Sequence, residues 1–256
     1  MFFVVNVKRK FMVLLMCMII FLITAISINQ MNYLQADSMP KYYTVYLTFD
    51  DGPSGVTEKV LDVLGKYNVK ATFFVIGETD YDVVSTYNRI IFEGHALGLH
   101  SNTHDPNFIY SSKDNYTKDF EDLRDLVAKS TGTYPKICRM VGGSNSSYCS
   151  KAVRKEILSY FNGNGFSCYD WDIDPHDSGA YALEANSLAN NIIKAARKMP
   201  DQDLVILMHD NSIRKTLPDA LEIIIPYFKD QGYSFDILSH DTILSGSTAL
   251  VNNNIK

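Results

Sequence analysis

The feature that most constrains this chain is a repeated alternation of apolar runs and amphipathic stretches between residues 42 and 246. The amphipathic stretches carry apolar residues at helical spacing, and they predict helices over residues 56–68, 83–94, 115–132, 150–165, 182–199 and 216–232. The apolar runs predict buried strands: YTVYLTF (43–49), ATFFVIG (71–77), ALGLH (96–100), KICRMV (136–141), FSCYDWD (166–172), DLVILMHD (203–210) and YSFDILS (233–239). Strand-then-helix repetition indicates an α/β fold with a parallel sheet. About seven such units in one segment favour a closed or nearly closed (β/α) barrel over an open doubly wound sheet.

The first 41 residues differ in character from the rest. Residues 8–10 are Lys-Arg-Lys, and in the following run, 11–28, only Thr24 and Ser27 are polar. At about 1.5 Å per residue such a helix spans about 27 Å, close to the hydrocarbon core of a bilayer. We therefore expect a cytoplasmic basic segment (1–10) and a transmembrane anchor (11–28) that places the body of the chain outside the cell. A cleaved signal peptide is the alternative, and it also exports the rest of the chain.

The remaining boundaries follow from the composition of each segment. Residues 29–41 are polar and unpatterned and predict a tether. Residues 42–246 contain no recognisable linker and predict one domain, and residues 247–256 predict a polar tail. The chain has a formal net charge of -5 and no long Lys/Arg run in its body, so we expect no nucleic-acid partner.

The chain has four cysteines, too few for a disulfide scaffold. Cys138 and Cys168 end apolar runs and are predicted to be buried thiols, although a bridge from Cys149 to either one stays open.

Residues with reactive side chains follow the predicted strands. Asp50 and Asp51 come after the first strand, and the motifs HSNTH, RMVGGSN, DWDIDPHD and LMHD stand at the ends of four later strands. The helix-to-strand turns carry mostly Gly, Lys and Asn instead. Because the carboxyl ends of parallel strands share one face of the fold, these side chains are expected to form one site.

The two histidines of HSNTH suggest a metal site. His100 and His104 are four residues apart, and on a helical turn both imidazoles could reach one ion. Asp50 or Asp51 could supply an oxygen ligand, and the other acid could act as general base on water. Two histidines and one carboxylate leave positions for water and substrate, which suits a catalytic ion such as Zn²⁺. The alternatives are structural histidines and an ordinary Asp-Gly turn, and a phosphoesterase would need more ligands for two metals.

With TFDDGP, HSNTH, RMVGGSN, DWDIDPHD and LMHD in this order, the chain resembles the polysaccharide deacetylases with a NodB-like domain, the fourth carbohydrate esterase family. The resemblance covers about residues 42–245. It implies a distorted (β/α) barrel and a metal-dependent enzyme that removes acetyl groups from N-acetylated sugars, or O-acetyl groups in some members.

The resemblance also implies catalytic roles for four residues. Asp50 matches the general base and Arg139 the arginine that holds it. His209 matches the general acid that protonates the leaving amine, and Asp177 matches the carboxylate paired with that histidine.

For the metal, the resemblance implies a triad of Asp51, His100 and His104 that binds one divalent ion, with Zn²⁺ expected first and Co²⁺, Ni²⁺ or Mn²⁺ as alternatives. Gly142 matches the position whose backbone N–H contributes to the oxyanion site, and Leu207 matches a wall of the acetyl pocket.

The chain departs from the family pattern without losing any of these groups. Val141 stands where a proline is usual, Ser178 replaces a tryptophan, and Asp105 intervenes between His104 and Pro106. We expect a membrane-anchored enzyme that acts on an extracellular glycan, most directly N-acetylglucosamine in peptidoglycan. An O-acetyl esterase, a chitooligosaccharide deacetylase and an inactive glycan-binding relative are the alternatives.

Overall fold

The computed structural model describes residues 42–77 and 82–251, together with Met18 and Thr24. Tyr42 begins a compact unit that contains every strand and helix given below. The predicted basic segment (1–10), anchor (11–28) and tether (29–41) lie outside the described residues, apart from Met18 and Thr24. Within the described part of the chain, no helix combines the length and the apolar character needed to cross a bilayer.

The compact unit alternates strands and helices in the predicted order. Its strands are β1 (Thr44–Asp50), β2 (Thr72–Ile76), β3 (Ala96–Ser101), β4 (Ile137–Cys138), β5 (Ser167–Cys168), β6 (Leu204–His209) and β7 (Ser234–Phe235). The helices in this part of the chain are α1 (Gly55–Tyr67), α2 (Val83–Phe92), α3 (Pro106–Ile109), α4 (Lys113–Thr131), α5 (Lys151–Gly163), α6 (Ala185–Ala196) and α7 (Leu217–Asp230). The single-turn helix α3 was not predicted.

The strands form one parallel sheet that curls into a partial barrel. Its order is β5-β4-β3-β2-β1-β6, and β7 pairs with the first residues of β1. β1 lies between β2 and β6, and it pairs with β6 over six residues. Strands β1, β2 and β6 are buried almost throughout, which explains their continuous apolar runs. In this register Asp50 lies directly opposite His209, so the ends of β1 and β6 present their polar residues together.

The predicted barrel closure is only partly present. The segment after β5 pairs with β6 through one parallel bridge, between Ile173 and Ile206. A hydrogen bond from Leu207 N–H to the Ile173 carbonyl (3.0 Å) supports this bridge. β4 and β5 are shorter than predicted because the chain leaves the ladder just past them. A turn closed by Gly143 N–H and the Met140 carbonyl follows β4.

The predicted polar tail needs a correction over residues 247–251. These residues return to the sheet and pair antiparallel with the chain after β5, through a bridge between Tyr169 and Leu250. Asp170 N–H donates to the Ala249 carbonyl (2.7 Å), and Ala249 is buried. The segment is held because its backbone forms hydrogen bonds with the edge of the sheet at β5, even though its composition is polar.

The cysteines agree with the prediction of buried thiols. Cys138 and Cys168 lie opposite each other on β4 and β5, and both are buried thiols that form no disulfide within the described part of the chain. Cys149 is also buried and free, so the alternative of a bridge from Cys149 is not adopted.

Candidate active site

The carboxyl ends of β1, β3 and β6 open into a cavity of about 490 Å³. The side chains of the predicted base, acid and metal ligands line it, and its apolar wall includes Val141, Trp171 and Leu207. The fold therefore brings the predicted strand-end residues to one place.

Asp50 ends β1 and is almost completely buried. Its Oδ1 accepts a hydrogen bond from Arg139 Nη1 at 2.9 Å, and the Arg139 side chain is fully buried. The other donors of Arg139 go to neutral acceptors: Thr48 Oγ1 (2.7 Å), the Tyr169 carbonyl (3.0 Å) and the Asp170 carbonyl (2.8 Å). These four hydrogen bonds fix the position of the Arg139 guanidinium group. Of the four acceptors, Asp50 is the one that carries a negative charge.

The backbone turns sharply between the two aspartates and α1. Asp51 adopts a left-handed conformation with φ 71°, and the Gly52–Pro53 peptide bond is cis. A Cβ at position 52 would lie 2.5 Å from both carboxylate oxygens of Asp210, so only glycine fits above that side chain. In this conformation the Asp51 carboxylate lies beside both histidines.

His100 and His104 lie close together, but not on a helical turn as predicted. His100 belongs to β3, and His104 lies in the following loop with φ 52°. Asp51 Oδ1 is 3.0 Å from His104 Nε2 and 3.5 Å from His100 Nε2. The prediction that the two imidazoles lie close together is confirmed, but the predicted helical turn is wrong. Instead, the left-handed conformation of His104 turns the chain back toward the end of β3.

The three side chains fit a cation. One ligand atom from each lies within 4.8 Å of the others, and none of the described residues makes a well-directed hydrogen bond to the buried Asp51 Oδ1. Donor atoms bound to one tetrahedral Zn²⁺ lie about 3.3 Å apart, similar to the distances between Asp51 and the histidines. His100 Nδ1 lies 2.8 Å from the Arg139 carbonyl, which leaves Nε2 directed at the site.

The charges within the triad favour an anionic aspartate. Burial opposes ionisation of Asp51, but the imidazoles of His104 and His100 outweigh it and hold the pKa of Asp51 well below its usual range. Burial lowers the pKa of His100 below its usual value, which favours the neutral imidazole that a metal requires.

His209 ends β6 and faces the cavity opposite Asp50. Its Nδ1 lies 2.7 Å from Asp177 Oδ1, and its backbone N–H donates to Asp177 Oδ2 at 3.0 Å. Burial opposes protonation of His209, but Asp177, with Asp51 and Asp50 adding to it, raises the pKa of His209 to about 9. A histidine in this setting carries a proton at neutral pH and can donate it.

The loop after Arg139 forms another wall of the cavity. Gly142 lines it with φ 71°, and Leu207 lines it from β6. Tyr110 Oη donates to the Val141 carbonyl (2.7 Å), and Asp170 accepts from Ser144 N–H and Oγ. These hydrogen bonds hold the loop at the position where the family's usual proline is replaced.

Three acids near the site, of which Asp119 and Asp210 are buried, were not given a role by the sequence reasoning. Asp170 holds the wall loop, Asp119 contacts the loop between the histidines, and Asp210 lies beneath Gly52. Burial, with the nearby Asp51 and Asp50, raises the pKa of Asp210 to about 7. Asp119 carries the clearest sequence signal, because it occupies a position on the apolar face of a predicted amphipathic helix.

Comparison with known proteins identifies the family. The model of the polysaccharide deacetylase family matches residues 38–160. The chain is 36% identical over 205 residues to YheN of Bacillus subtilis (strain 168), covering 78% of this chain and 68% of that protein. It is 32% identical over 195 residues to a peptidoglycan-N-acetylglucosamine deacetylase of Bacillus cereus, covering 75% of this chain and 67% of that protein.

The chain belongs to the polysaccharide deacetylase family. It is therefore an enzyme, and hydrolysis of acetyl groups on glycans is the family reaction. The family is metal-dependent, and Asp51, His100 and His104 form a group of described residues that could hold an ion.

Solved structures agree with this membership. The catalytic domain of a peptidoglycan N-acetylglucosamine deacetylase from Eubacterium rectale superposes with a TM-score of 0.74 at 31% identity, covering 82% of this chain and 94% of that one. A family 4 acetyl xylan esterase from Clostridium thermocellum, solved with a cobalt ion, superposes with a TM-score of 0.62 at 31% identity, covering 76% of this chain and 87% of that one.

Proposed function

We propose that this chain is a metal-dependent N-deacetylase that acts on N-acetylglucosamine residues of peptidoglycan. The observation that carries the proposal is the arrangement of the cavity. Asp50, His209 and the possible metal ligands Asp51, His100 and His104 line one cavity. Asp50 is paired with the buried Arg139, and His209 is paired with Asp177.

The residues of the chain divide the chemistry between them. Asp50, oriented by Arg139, takes a proton from the attacking water. His209, held by Asp177, donates a proton to the leaving nitrogen, which is otherwise a poor leaving group. Leu207 and Val141 provide an apolar surface for the acetyl methyl group, and Gly142 contributes its backbone N–H to stabilise the oxyanion.

Asp51, His100 and His104 would hold the divalent ion, for which we propose Zn²⁺ first. When bound, such an ion polarises the acyl carbonyl and increases the acidity of water. Peptidoglycan is proposed as the substrate because several relatives are named as peptidoglycan deacetylases, including a Bacillus subtilis protein named for N-acetylmuramic acid.

We also propose that residues 11–28 export the catalytic domain and anchor it in the membrane. The support is the length and apolar composition of that segment after a basic cluster. The mass of the N-terminal peptide of the mature chain tests this proposal. An intact N-terminus supports an anchor, and a new N-terminus that begins after Ala25-Ile26-Ser27 supports a cleaved signal.

The experiment that tests the enzymatic proposal is acetate release from purified peptidoglycan by the Zn²⁺-loaded chain. Chelator-treated protein and the Asp50→Asn variant serve as controls. We expect acetate and glucosamine-containing fragments from the loaded wild-type chain and neither product from the controls. If loaded protein released no acetate from peptidoglycan or chitooligosaccharides, the proposal would be wrong.

The same assay separates the second candidate, an O-acetyl esterase. The likeness to an acetyl xylan esterase supports this alternative. Acetate released from acetylated xylan, with intact N-acetyl groups on peptidoglycan fragments by mass spectrometry, would favour the esterase.

A further inference from the structure

Asp119 is a charged residue in an apolar setting. It lies on α4 beside Tyr116, Phe120 and Leu123, which face the core, and it is only 3% exposed. Burying a carboxylate is unfavourable unless hydrogen bonds replace its water. The location of those hydrogen bonds therefore indicates what this residue does.

Within the described part of the chain, Asp119 accepts four hydrogen bonds, and all four come from the three residues between His100 and His104. Oδ2 accepts from Ser101 Oγ (2.7 Å) and from Asn102 N–H (2.8 Å). Oδ1 accepts from Thr103 N–H (2.8 Å) and from Thr103 Oγ1 (2.7 Å). Each oxygen thus has two donors, one from the backbone and one from a hydroxyl group.

A further hydrogen bond connects this set to His104. The His104 backbone N–H donates to Ser101 Oγ at 2.9 Å, and Ser101 Oγ in turn donates to Asp119. His104 adopts φ 52°, which is unfavourable for a residue with a side chain and needs support from its surroundings. The buried carboxylate provides that support from a separate helix.

We propose that Asp119 is a positioning residue that sets the distance between His100 and His104 for metal binding. This inference rests on the proposed metal function of the two histidines. The carboxylate acts as a template for the loop, so the two imidazoles are held in place before an ion arrives. Ligands that are already in place need less ordering when the ion binds, so affinity rises.

Asparagine cannot replace the carboxylate, although it has the same shape. A backbone N–H points at each oxygen of Asp119, so either orientation of an amide places its NH₂ group against a donor. Asp119→Asn therefore removes a backbone contact in both orientations while changing little volume. Asp122→Asn is the matched control, because Asp122 is on the same helix but exposed and paired with Lys118.

The test measures Zn²⁺ affinity of the full-length chain by competition with a chromophoric chelator, with folding of the metal-free proteins followed by circular dichroism. We expect Asp119→Asn to weaken affinity by about 10- to 100-fold, as is typical when a partner of a metal ligand is lost. Asp122→Asn should bind like the wild type. Equal affinity of folded Asp119→Asn and wild type would overturn the inference.

A second variant decides the result if Asp119→Asn does not fold. Ser101→Ala removes only the hydroxyl group that joins Asp119 to His104 N–H, and it should also weaken Zn²⁺ binding. Unchanged affinity in Ser101→Ala would then overturn the inference. If the wild-type chain itself bound no Zn²⁺, the proposed metal function would fail, which is a different result.

Discussion

Replacement of Asp50 by asparagine should reduce stability and activity without removing the metal. Arg139 is fully buried, and its three remaining acceptors in the described structure are neutral. Breaking a buried ion pair typically costs about 3–5 kcal/mol, because the remaining charge is left uncompensated. Since the neutral acceptors stay in place, we expect a loss near the lower end, about 3 kcal/mol.

For a domain of this size, a loss of about 3 kcal/mol corresponds to a fall in melting temperature of about 6–12 °C. Thermal unfolding of the metal-free chain measures that fall, and chelator competition measures Zn²⁺ affinity. We expect affinity to be retained, because Asp50 Oδ2 is 3.9 Å from His100 Nε2 whereas Asp51 Oδ1 is 3.0 Å from His104 Nε2. Acetate release should be lost because no base remains to accept the proton from water.

Two results would refute this reasoning. An unchanged melting temperature would show that Arg139 does not depend on the charge of Asp50. A loss of Zn²⁺ binding would show that Asp50, and not only Asp51, acts as a ligand.

Three further predictions concern the same site. Asp51→Asn should lose Zn²⁺ binding, measured by chelator competition, and retained affinity would argue against the triad. In the metal-free chain the raised pKa of His209 stabilises the fold below pH about 6.5, and this contribution of about 3 kcal/mol should disappear as the pH rises through about 9. Denaturant unfolding at several pH values should show this loss in the wild type and not in His209→Asn. Gly52→Ala places a Cβ against Asp210 and should destabilise the chain by about 1–3 kcal/mol, and an unchanged denaturation midpoint would contradict the close approach.

Much of the architecture could be predicted because it depends on local periodicity. Apolar runs and amphipathic stretches identified the strands and helices, and a parallel sheet places successive strand ends on one face. The clustering of Asp50, His100 and His209 follows from that rule. The boundaries were less accurate where pairing is irregular, as in the two-residue strand β5.

The sequence alone determined that this chain forms a parallel α/β domain with acids, histidines and an arginine at one end of its strands. Only the tertiary structure decided the backbone conformation and position of each of these residues within the site. Asp51 adopts a left-handed conformation directly after Asp50, His104 lies in a loop rather than on a helix, and residues 247–251 join the sheet. The reason is that these conformations depend on hydrogen bonds from distant residues. The four bonds to Asp119 from the loop before His104 are one example, and no local pattern in the sequence specifies them.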